Sequence, residues 1–485
     1  MKRTLTIFVF TLVFSLGCAN SSPPTLTPMM EDEGVDGEVD AGNDNDSTDS
    51  SDRRVSADLG VDSTEAGPDG GTDALPPDAG VDSDASGSDA EGADAEVPDA
   101  GTPDALAPDA EGADAGVPDT LAPDAGPPAP YCADPLGCWE PMSDVGAPDA
   151  RREAVAVWTG SEMIVWAGVT DNVSRSDGGR YDPITDSWRA MSVEGAPSPR
   201  YYFSTVWTGS EMIVWGGRNE DPWSSFNNGA RYNPATDRWT PITTTDAPSA
   251  RNGHTAVWTG SEMIVWGGVS PCCVLPYGGR YNPVADTWIG FSGDATTLAP
   301  SGADGAVWTG SDMIFWNNVT MWGSRFDLSS GTWSGMSTAG APSERIVVSP
   351  IWTGSEMLVW AGGGFSVPAE GGGRYDPLSN TWSAMSSIGA PVTPRATNTA
   401  VWTGSEMIVW GGGTPTATYG DGGRYDPVAN SWSAVQTTGV PTARGEHSAV
   451  WATDCVPDLG DQPCMIVCGG YNGSHLRDGG RYFLP

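Results

Sequence analysis

The sequence predicts an all-β chain folded as a single seven-bladed β-propeller, and three observations carry that prediction. The decapeptide VWTGSEMIVW begins at Val157, Val206, Val257 and Val401, returns with small changes at Val307 and Ile351, and persists in broken form from Val450. Its leading tryptophans are spaced 49, 51, 50, 44, 50 and 49 residues apart, and a period near 50 marks a repeat architecture. Within each period the pattern is strand-like throughout, with no helical periodicity.

Each element of the repeat has its own signal. TAVW, the polar turn TGSE and MIVWGG form a hairpin of β-branched and aromatic residues. A variable loop follows, then GGRYDP, a second turn such as ITD, and a fourth strand beginning at Trp188 or its equivalents. Four short strands per repeat make one propeller blade. The last copy stops at GGRYFLP without its fourth strand, and CWEPMSDVGAPDARR from Cys138 matches TWSAMSSIGAPVTPR of a complete repeat. The N-terminal strand carrying Trp139 is therefore expected to complete the last blade and close the ring. One blade departs from the pattern: WGG becomes Trp316-Asn317-Asn318 and the tyrosine becomes Phe326, so a looser blade is expected there.

The di-glycine after an apolar strand, the RYDP tyrosine and the tryptophan seven residues beyond it resemble Kelch repeats, over essentially all of 139–485. The resemblance implies that the first strand of each blade is innermost. The tyrosine and tryptophan columns would fill the spaces between blades. Of 22 tryptophans, 20 fall in three columns, on the first, second and fourth strands, and all three are expected to be inter-blade core.

The front of the chain is different material. Residues 1–17 are an export signal, with Lys2 and Arg3 before an apolar run too short to span a bilayer as a helix. Its end, SLGC, resembles a bacterial lipobox, which makes Cys18 the expected lipidation site. Residues 18–130 are an expected disordered linker: 29 acidic residues face only Arg53 and Arg54, with too few aromatic or β-branched residues to offset ordering entropy. Its DNDSTD stretch lacks the spacing of a calcium loop. Residues 131–485 form the propeller, with 34 acids and 19 arginines. Ala19 and Asn20 lack the aspartate of inner-membrane retention, so the expected location is the cell envelope, at the outer membrane.

Enzymatic chemistry finds little support. The copper site of galactose oxidase, which is built on Kelch-type blades, needs two histidines, two tyrosines and a cross-linked cysteine. Here His254 and His447 share one column on distant blades and His475 stands alone, so no metal, cofactor or catalytic residue is assigned. Glu162, Glu211, Glu262, Glu356 and Glu406 repeat in one turn and Asp182, Asp376 and Asp426 in another, which reads as turn formation rather than a unique carboxylate pair. A non-catalytic binding or scaffolding module is expected; the alternative is a sialic-acid mutarotase-like or other carbohydrate-active Kelch enzyme.

Seven cysteines remain after Cys18. Cys132 with Cys138 and Cys455 with Cys464 are candidate disulfides beside the joined strands. Cys468 replaces a second-strand tryptophan and reads as a buried thiol. Cys272 and Cys273 are adjacent, so either a strained vicinal disulfide or two thiols results. The loops between second and third strands differ completely among the repeats and share one face with the connections between blades, where function on a rigid scaffold usually lies. Their aromatics Trp223, Phe226, Tyr277, Trp322, Phe365, Tyr419 and Tyr471 are either loop anchors or a ligand platform. On the same face Arg151, Arg200, Arg251, Arg345, Arg395 and Arg444 each precede a first-strand tryptophan by seven residues, either as internal ties or as an anion-binding collar. The expected partners are a protein or glycan ligand, and a membrane through the lipid anchor alone. No nucleic acid is expected, and the chain should be a monomer.

Overall fold

Alternation along the four-residue strands decides how the blades stack. In the second strand of the second blade, Met212 and Val214 point into one gap while Ile213 and Trp215 point into the next, and all four are fully buried. A strand apolar on both faces can be satisfied only between two other sheets. The computed structural model describes residues 132–220, 224–293, 305–317, 322–343, 350–361, 371–391, 395–414, 416–456 and 462–485. The expectations for 1–17, Cys18 and 18–130 lie outside these residues, as do Trp223, Arg345 and Phe365; of Trp322, only the backbone is described.

Seven four-stranded antiparallel sheets result. The first comprises Val155–Trp158, Met163–Trp166, Gly178–Asp182 and Ser187–Ala190, and the next five repeat its order. The seventh holds Ser448–Ala452, Cys464–Cys468 and Gly479–Phe483, completed by Cys138–Pro141, with Trp139 opposite Tyr482. The inner strands of neighbouring blades approach one another in a closed cyclic order, the seventh against the first. The core is not central. It consists of seven apolar slabs, one in each gap between blades. No helix among the described residues is long and apolar enough to cross a membrane.

Most gaps are also held by a repeated polar clasp. The Trp188 indole donates to the Ser143 carbonyl of the preceding blade at 2.9 Å. Asp186 accepts both the Ser143 N–H at 2.9 Å and the hydroxyl of its own Tyr181 at 2.6 Å. The same three bonds join Trp239, Tyr232 and Asp237 to Ser192, and Trp432, Tyr425 and Asn430 to Ser386. The chain must turn back sharply beside the tryptophan carbonyl. At Gly389 φ is +79° and a Cβ would lie 2.9 Å from the Trp432 oxygen, which is why glycine recurs in GAP.

In the seventh blade the N-terminal segment replaces the missing turn. The Leu136 carbonyl accepts both the Tyr482 hydroxyl at 2.6 Å and the Gln436 N–H at 3.0 Å, while Trp139 donates to the Gln436 carbonyl at 2.9 Å. The fourth blade lacks the clasp altogether. Phe326 has no hydroxyl, Gly331 stands where the acid should be, and the Trp333 indole nitrogen is buried with no partner among the described residues.

Removing residues 131–146 takes away the closing strand and the Ser143 anchor together, leaving an open sheet edge. The truncated chain is expected to lose its cooperative thermal transition or aggregate; an unchanged transition would refute this closure.

Candidate binding face

The face carrying the variable loops is built on the arginine column. Arg151, Arg200, Arg251, Arg395 and Arg444 are at most 3% exposed. Arg200 Nη1 donates to the Gly216 carbonyl at 2.9 Å and to the Asn228 carbonyl at 3.0 Å, bridging the points where the loop leaves the second strand and rejoins the third. Arg251 makes the same bridge to Gly267 and Tyr277 at 2.8 and 2.6 Å, and Arg444 to Gly469 and Asp478 at 2.9 and 2.8 Å. Arg151 and Arg395 bridge their own loop ends alike. Asp177, Asp421 and Asp478 cap the outer nitrogens. Burial tends to raise Asp177, but the Arg151 guanidinium holds it below the usual carboxylate range. Burial lowers Arg200 and Arg251 to about 10, so both stay cationic at neutral pH.

The described arginines therefore do not form an anion-binding collar. Their donors are turned inward onto carbonyls that would otherwise be orphaned, and desolvation closes them to solvent ligands. Three loop aromatics lie over these cations: Phe226 over Arg200 at 4.3 Å, Tyr277 over Arg251 at 4.6 Å and Tyr419 over Arg395 at 4.6 Å. These rings anchor their own loops. Tyr471 differs: it is 37% exposed, packs edge-on against His475 and lies 5.5 Å from Arg152.

Two residues beyond each arginine lies a column that does not repeat, and it surrounds the channel mouth. Glu153, Tyr202, Gly253, Thr397 and Glu446 all have φ between 54° and 59°. Neighbours in the column are joined across blades by backbone bonds, Gly253 N–H to Tyr202 O at 2.8 Å, Glu446 N–H to Thr397 O at 3.1 Å and Glu153 N–H to Glu446 O at 3.0 Å. Left-handed backbone at a non-glycine residue is costly and must be held by its surroundings. The side chains gather where the seventh, first and second blades meet. Arg152 pairs with Glu446 at 2.7 Å, Tyr202 donates to Glu153 at 3.0 Å, and Arg218 lies over Tyr201 and Tyr202 at 4.9 and 5.1 Å. Burial, reinforced by the Glu446 charge, pushes Glu153 up to about 7. Among the described residues, Glu153 and Glu446 thus form a carboxylate pair made by residues of different blades. The clue lay in the sequence, two residues past a nearly constant arginine.

The remaining candidates are structural. His254 and His447 are buried, held neutral with pKa near 3 by desolvation, and bonded to Ser204 and Thr399 at 2.8 and 2.7 Å. No cluster of three metal-ligating side chains occurs among the described residues. Disulfides join Cys132 to Cys138 and Cys455 to Cys464. The sulfurs of Cys272 and Cys273 sit 2.8 Å apart at the exposed loop tip. Cys468 is buried, its pKa raised to about 12 by desolvation, and it lines a small cavity with Arg151 and Leu476 where other blades carry an indole.

Because Glu153 binds its proton more tightly folded than unfolded, its contribution is fully present below about 4.5 and is lost as pH rises towards about 7. Glu153→Gln removes that dependence. The melting temperature of the variant is expected to gain on that of the parent chain across this window; parallel pH profiles would show that Glu153 is not perturbed.

Against protein-family profiles, the KLHDC2/KLHL20/DRC7 Kelch-repeats domain matches twice, over residues 153–317 and 317–482. A comparison with curated proteins returned no match. The two family matches share a boundary inside the fourth blade and together take in the repeats of the closed ring, so this chain belongs to the Kelch-repeat family.

Proposed function

We propose that this chain is an exported, lipid-anchored binding module that engages a protein partner through the channel-mouth patch of its variable face. Kelch-repeat propellers commonly bind proteins. One observation carries the choice of surface. The arginine column and three of the loop aromatics are used internally, whereas Tyr202 and Tyr471 remain 38% and 37% exposed beside the Arg152–Glu446 pair. Aromatic rings flanked by charge, held on ordered backbone, are the composition of interface hot spots. Cys18 would supply the anchor and the acidic residues up to 130 the reach.

The test uses the full chain in membranes, with Cys18→Ser as the unanchored control. A photo-crosslinker at Tyr471 should capture the same protein as one at Tyr202, and Tyr202→Ala with Tyr471→Ala should abolish that capture without changing the melting temperature. Equal capture from a crosslinker at Val428, on the opposite face, would contradict the assignment. So would membrane association that survives Cys18→Ser.

A further inference from the structure

The opposite face carries a second candidate site. The inner-strand tryptophans, from Trp158 to Trp451, pack against the inter-blade core as expected, while all seven stay partly exposed. They differ in bonding as well. The outer-strand indole of most blades donates to the neighbouring blade, Trp432 among them, whereas no inner-strand indole donates a hydrogen bond among the described residues. At this end of the gaps lie open grooves. One of ≈610 Å³ between the fifth and sixth blades is bordered by Trp402, Glu356, Arg374, Ser355, Ser405 and Val428. A second opening of ≈450 Å³, lined by first-blade residues and Asp454, has no tryptophan in its lining, and both Glu162 oxygens there are paired, with Arg180 and Arg189. Both volumes fall in the range of small-ligand sites.

We infer that the groove beside Trp402 binds the ring of a neutral saccharide. A sugar ring has an apolar C–H face and a rim of hydroxyls, each able to donate and accept. The groove offers the matching parts. Trp402 supplies a flat apolar surface. Arg374 donates to Glu356 Oε2 at 2.9 and 2.7 Å, which leaves Oε1 without a partner among the described residues, and two serine hydroxyls lie alongside. An acceptor next to a cationic donor suits a pair of adjacent hydroxyls. The net charge of −40 disfavours acidic ligands.

The probes are the methyl glycosides of glucose, galactose and mannose, titrated separately into the 15N-labelled full chain. Trp402→Phe assigns the Trp402 indole resonance. At least one glycoside is expected to shift that resonance with millimolar saturation and leave the buried Trp432 indole unmoved. Glu356→Gln should weaken the response about tenfold with the spectrum otherwise unchanged. Failure of all three glycosides to move the Trp402 resonance would overturn the inference. So would a response that Glu356→Gln leaves intact, or shifts confined to the variable face around Tyr471.

Discussion

The bond from an outer-strand indole to the preceding blade is the contact on which the rest of this structure depends. Apolar slabs between sheets give area without direction, since the hydrophobic effect is non-directional. The clasp gives direction. Ser143 offers its N–H and its carbonyl to the next blade at once, to Asp186 and Trp188, so only one registration of the two sheets satisfies both. Tyr181 fixes Asp186 in the accepting position. Each such bond adds only about 1 kcal/mol net, but a missing one leaves a buried polar group unmet, at a cost of about 1–3 kcal/mol. The ring therefore closes with seven blades in defined register, and its last gap uses backbone in place of a side chain, through Leu136.

That constraint divides the molecule into two ends with different chemistry. At the variable end, buried arginines tie each loop to its own blade, so sequence can change between the ties without loosening the scaffold. At the channel mouth runs the left-handed column through Glu153, Tyr202 and Glu446, whose side chains differ between blades. At the turn end the opposite holds. TGSE recurs, the six complete blades keep an acid–arginine ion pair such as Glu356–Arg374, and Asp312–Arg325 preserves it even where the clasp is lost. The first end varies from blade to blade, and the second repeats.

Much of this was legible in the sequence because repetition exposes what the fold requires. The strand order, the closing role of Trp139 and the weakness of the fourth blade all follow from columns that match or fail to match. Phe326 and Gly331 show the last point well: the hydroxyl and its acceptor are both missing from this blade. What the columns hid was direction. Nothing in the spacing of Arg200 or Arg251 says whether the guanidinium faces the channel or the loop ends, and the carbonyls that receive it belong to the least alike segments of the chain. Likewise three tryptophan columns look equivalent in sequence, yet the first packs against the core while staying partly exposed. Glu153 and Glu446 lie nearly 300 residues apart and meet only through ring closure.

A matched pair of substitutions measures the central contact directly. Trp188→Phe and Trp333→Phe remove the same atoms from the same column, but Trp188 donates across its gap and Trp333 has no partner among the described residues. In chemical denaturation the first is expected to cost about 1–3 kcal/mol more than the second, because only there is a buried carbonyl left unmet. Equal losses would contradict the account and leave the register of the blades to apolar packing alone.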